Sequence, residues 1–175
     1  MNTLTRLLIA LFVLCGSLLI ADHPDALSHD AGQVKFENRI KRDRLYWQKV
    51  SWTFGDLNAK VQFPGKAFPI DTDKFMITYI GGWTYYQFST FAHAHKDAWL
   101  HAMELEEDPQ IYAEILKDPP ECCAYAVSFE RYEDGILVGK GRDYIVGELR
   151  LRFLIEGDDF SLASIFFENL EITNR

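Results

Sequence analysis

The sequence predicts an α+β fold, a single antiparallel sheet of about five to six strands with helices packed on it in the manner of an α/β/α sandwich, preceded by an N-terminal signal peptide. Three observations carry that prediction. Apolar and polar residues alternate through the middle and last thirds of the chain, the pattern of half-buried strands. Turn residues separate these runs by distances too short for a parallel crossover, so neighbouring strands pair antiparallel. Longer stretches with apolar residues three and four apart lie between and after the strands, as helices require.

The first 21 residues read as an address. Arg6 supplies a basic start, Leu7 to Leu14 are continuously apolar, and small residues follow before the polar stretch that opens at Asp22. That order describes a secretory signal peptide, with cleavage expected after Ala21. The apolar run from Leu7 to Ala21 is 15 residues, short of the about 20 that cross a bilayer comfortably. Residues 1–21 are thus expected to be removed, residues 22–46 to form a basic, partly helical N-terminal segment, and residues 47–175 to form one domain. The basic character comes from Lys35, Arg39, Lys41, Arg42, Arg44 and Lys49, and Phe36, Ile40 and Trp47 stand at spacings of four and seven, which suits one helical face.

The alternation then begins. Leu57, Ala59, Val61 and Phe63 alternate with polar residues and stop at Pro64–Gly65, a strand ended by a turn. Residues 75–80 form a second strand, and Gly81–Gly82 a turn or bulge. Trp83 to Phe91 form a third, with Trp83, Tyr85 and Gln87 on one side and Thr84, Tyr86 and Phe88 on the other. Asp97 to Glu107 reads as a helix whose apolar members are Ala98, Trp99, Ala102, Met103 and Leu105, with acids gathered at the end that the macrodipole makes unfavourable for them. Pro109 is placed to open a second helix, Gln110 to Leu116, which Asp118-Pro119-Pro120 ends. Cys123 to Arg131 alternates again, Glu133-Asp134-Gly135 turns the chain, and Ile136 to Val138 begins a return strand in which Gly139 and Gly141 suggest a bulge or bend. Leu149 to Ile155 is a further half-exposed strand. Phe160, Ala163, Phe166, Phe167 and Leu170 then mark a C-terminal amphipathic helix.

The strand end Val61-Gln62-Phe63-Pro64-Gly65 and the closing stretch from Phe160 to Ile172 resemble PsbP-like domains, small exported proteins, over residues 47–173. The resemblance implies an antiparallel sheet sandwiched by helices and an accessory or binding role. It carries no functional residues onto this chain.

Composition excludes several functions. The formal charge of −8 argues against a general nucleic-acid binder, which needs a basic footprint. Membrane contact is expected only through the signal segment, or weakly through residues 35–49. Nucleophile elbows, zinc-protease helices and phosphate loops are all absent from the sequence. Three cysteines are too few for a disulfide scaffold, and a bond between the neighbours Cys122 and Cys123 would close a strained ring, so two small core thiols are expected. The most chemical feature is His93, His95 and His101, with Asp97, His101 and Glu104 at i, i+4 and i+7 on a helix; these ligand types suit zinc or copper. The ordinary alternative is a polar strand end and a solvated helix face. Trp83, Tyr85 and Tyr86 are candidates for a stacking face, against core packing as the ordinary role of aromatic strands. The expectation is an exported, periplasmic or secreted bacterial protein without a cofactor, noncatalytic, which binds a protein partner in the envelope or outside the cell. The alternatives are a ligand-binding protein, with a metal at the histidines or an apolar molecule on the aromatic strand, and an unrecognised hydrolase.

Overall fold

The computed structural model describes residues 33–42, 45–71, 75–80, 83–92 and 97–174. The expected signal peptide, the cleavage position, His93 and His95 lie outside these residues. The chain runs β1 (Gln33–Arg42), β2 (Leu45–Phe54), β3 (Leu57–Pro64), β4 (Phe68–Asp71), β5 (Phe75–Ile80), β6 (Thr84–Ala92), α1 (Ala98–Glu106), β7 (Ile111–Ile115), β8 (Tyr125–Glu133), β9 (Ile136–Val146), β10 (Leu149–Glu156), α2 (Ala163–Glu168) and β11 (Glu171–Asn174).

The described residues form two antiparallel sheets, not one. The smaller has strand order β1-β2-β3-β11 and the larger β4-β5-β6-β10-β9-β8-β7. The single helix-covered sheet expected from sequence fails because the basic stretch is not helical. It forms β1 and β2, and Val50, Trp52 and Phe54 continue the second strand with period two. The register sets Arg39 opposite Gln48 and Lys41 opposite Tyr46. The expected helix at 110–116 is also a strand, β7, whose Ile111, Tyr112 and Ile115 suit a pleated surface.

The two sheets pack directly on each other. Trp52 of the smaller sheet meets Phe88 of the larger edge-on at 5.7 Å, and Phe88 stacks on Phe153 at 4.9 Å. Val50, Ala59, Val61, Phe63, Leu151, Phe153 and Ile155 complete a dry interior between them. α2 closes this core, since Phe166 lies against Phe63, Tyr86 and Phe153. The expectation of a single sheet sandwiched by helices does not describe this arrangement.

Two glycines carry backbone demands. β9 is continuous from Ile136 to Val146, but its pairing with β8 shifts register between Arg131 and Tyr132, leaving Val138 as an extra residue beside Gly139, the irregularity the sequence suggests there. At Gly141 the Phe129 ring of the neighbouring strand occupies the space a Cβ would need, 2.1 Å away. Gly157 has φ +146°, and a Cβ there would stand 2.5 Å from the Thr84 Cα. This close approach lets the Thr84 hydroxyl accept from the Asp159 amide and donate to Asp158, tying the start of β6 to the turn before α2. Gly157→Ala is therefore expected to lower the unfolding free energy by roughly 2–4 kcal/mol in a denaturant titration. Gly135→Ala, at a left-handed position with open space around it, is expected to cost only about 1–2 kcal/mol.

Candidate functional site

The outer face of the large sheet, turned away from the aromatic core, carries the unusual chemistry. Strand periodicity sends Tyr144 into the main core and its neighbour Asp143 to this outer face. Asp143 sits opposite Arg152 of β10 in the register. Arg152 grips it with two hydrogen bonds, Nε to Oδ1 and an Nη to Oδ2, each 2.7 Å. The Nε2–H of His101, on α1, donates to Asp143 Oδ2 at 3.0 Å. His101 and Asp143 are both fully buried, and Arg152 keeps 21% of its side chain in solvent. Phe129 lies under the Arg152 guanidinium at 4.9 Å, and Phe91 under that of Arg150 at the same distance. Burial opposes ionisation of Asp143, yet the fork of Arg152 and the ring N–H of His101 hold its carboxyl below the usual range.

These contacts pin α1. Asp97 caps its N-terminus, accepting from the amides of Trp99 at 2.7 Å and Leu100 at 3.3 Å. Ala98, Ala102 and Leu105 pack on Tyr125, Val127 and Ile145 beside His101. At its other end Glu106 accepts from the Ala113 amide at 3.1 Å, and the Asp108 carbonyl takes the Ile111 amide at 2.9 Å. Both amides belong to the outer edge of β7, so the helix end also blunts a sheet edge.

With Ala98, Ala102, Leu105 and His101 turned inward, three of the four large apolar side chains of α1 face out. Trp99 is 62% exposed, Leu100 51% and Met103 46%. Trp99 and Met103, apolar members of the helix read from sequence, face solvent, while His101 turns inward to Asp143. The sequence also misses Asp143, Arg152 and Arg150 altogether. Their one signal is an acid, Asp143, standing directly before the apolar Tyr144-Ile145-Val146 and opposite an Arg-x-Arg run.

The other sequence-predicted residues disperse. Of the proposed metal set, His101 is committed to Asp143, Asp97 to the helix cap, and Glu104 is exposed. Among the described residues no three His, Cys, Asp or Glu are grouped as a metal would need. Trp83 is exposed and Tyr85 half-buried, but Tyr86 lies in the core against Phe166, so the two tyrosines occupy opposite faces of β6. Cys122 and Cys123 are free thiols packed against the main core, across the large sheet from His101. Cys122 donates to the Ile172 carbonyl at 3.3 Å. Burial, with the neighbouring thiol, pushes Cys123 up to about 12. An open depression of about 700 Å³ between residues 114–121, Arg142 and Tyr144 has no His, Ser or Cys in its lining. His101 can orient a helix but, buried as it is, cannot reach a substrate.

No protein-family model, curated protein or solved structure matches this chain.

Asp143→Asn is expected to destabilise the protein by about 2–4 kcal/mol, below the range for a fully buried pair because Arg152 is partly solvated. The folded-state pKa of Asp143 is depressed, so its contribution is present at neutral pH and is lost as pH falls below about 4. The stability difference between wild type and Asp143→Asn should therefore shrink on acidification from about pH 6 to about pH 3, read by urea titrations at each pH. The raised thiol predicts a second result: iodoacetamide at pH 8 should label Cys123 far more slowly in the native protein than in urea.

Proposed function

We propose that this is an exported, noncatalytic binding protein that engages a protein partner in the cell envelope or outside the cell through the outward face of α1. The observation that carries the proposal is the orientation of that helix: three of its four large apolar side chains, Trp99, Leu100 and Met103, are turned to solvent. Trp, Leu and Met standing together on a rigid element are the side chains from which the desolvated centre of an interface is built. The helix backbone that carries them is fixed by the contact of His101 with Asp143, so little backbone ordering remains to oppose binding. Export rests on the basic start and short apolar run of residues 1–21, and the periplasmic or secreted destination on that segment alone.

Trp99→Ser/Leu100→Ser should change the unfolding free energy by no more than about 0.5 kcal/mol, since neither side chain is in a core. The same double variant should lose a partner that the wild-type protein retains from an envelope extract or culture medium of the producing cells. A partner held equally by both proteins would place the binding surface elsewhere.

A further inference from the structure

We infer that the segment received by α1 is cationic and amphipathic, with aliphatic side chains against Trp99, Leu100 and Met103 and Lys or Arg side chains over the surrounding carboxylates. The inference rests on the docking role of this face and adds the chemistry of its occupant. Asp97, Glu104, Glu106, Glu107 and Asp108 all lie between residues 97 and 108, where there is no Lys or Arg, and all five are exposed. Asp97, Glu106, Glu107 and Asp108 form no ion pair with a cation among the described residues; the hydrogen bonds recorded for three of them go to backbone amides of α1, Ala113 and Gln110. Four of the five acids crowd the C-terminal end of the helix, where the macrodipole is negative and acids are unfavourable. Glu106 and Asp108 accept backbone amides and Glu104 lies in the field of Arg150 and Arg152, but the helix dipole disfavours this grouping, and a cation arriving from a partner would relieve both the mutual repulsion and the clash with the dipole. The apolar centre and charged rim together match one basic, amphipathic chain segment. An anionic bilayer or a nucleic acid would meet this rim with like charge.

The test uses the purified protein and a Leu/Lys amphipathic helical peptide, with a Leu/Glu peptide of the same spacing and phosphatidylglycerol vesicles as comparisons, followed by titration calorimetry. The Leu/Lys peptide should bind, and its affinity should fall at least about tenfold between about 20 mM and about 200 mM salt. Glu106→Gln/Glu107→Gln keeps the acceptor for the Ala113 amide and should weaken low-salt binding several-fold while flattening the salt dependence. Trp99→Ser/Leu100→Ser should abolish binding. Equal binding of the Leu/Glu peptide, lost in the Ser double variant, would overturn the cationic chemistry and leave the docking face standing. Leu/Lys binding untouched by either double variant would overturn both. Vesicle binding lost in the Ser double variant would replace the protein partner with a membrane, and failure of the Leu/Lys peptide to bind would end the inference.

Discussion

A carboxylate sealed between two strands and a helix decides how this molecule presents itself. Asp143 has exchanged water for the fork of Arg152 and the ring of His101. Buried ion pairs contribute little net stability, because desolvation offsets most of the attraction. Their effect here is on orientation. α1 carries apolar residues on nearly every side, with Ala98, Ala102 and Leu105 inward and Trp99, Leu100 and Met103 outward. Hydrophobic burial alone distinguishes poorly among rotations of such a helix, and it would favour hiding the tryptophan. A buried donor that must meet a buried acceptor distinguishes sharply, since a rotated helix would leave Asp143 short of a partner.

The sandwich beneath supplies the fixed frame that this contact needs. Along β9, Asp143 faces α1 while Tyr144 faces the aromatic interior. A slip of one residue would drive the carboxylate among Phe88, Phe153 and Phe166 and expel the tyrosine. Register in the large sheet is thus held by aromatic packing on one face and by the ionic contact on the other. The rings of Phe129 and Phe91 under the two arginines give the outer face its own packing, so Arg152 approaches Asp143 along a defined path. Fold and surface are linked through two adjacent residues.

Strand alternation was legible wherever one side of a strand faces water. The expected strands at Leu57–Phe63, Trp83–Phe91, Cys123–Arg131 and Leu149–Ile155 correspond to β3, β6, β8 and β10. Asp97 was legible as the start of a helix, and α2 lies within the expected C-terminal helix. The first two strands were not, because Phe36, Ile40 and Trp47 fall at helical spacings by coincidence, and the period-two run beginning at Val50 was the better guide. β7 is five residues long, too short for periodicity to separate strand from helix. The two-sheet layout depends on which strands meet across the core, and local pattern is silent on that. His101 stood out as chemical, but its partner lies 42 positions away on another strand. Sequence proximity therefore grouped it with Asp97 and Glu104 and hid the network that determines which way α1 faces.

Hydrogen exchange in a His101→Phe variant tests this account most directly, because phenylalanine fills the space while removing the ring donor. If the histidine–carboxylate contact holds α1 in place, the amides of residues 101–106 should exchange about tenfold faster than in the wild type, with those of β3 and β10 changing much less. Unchanged protection across α1 would mean that packing alone orients the helix and would contradict the account.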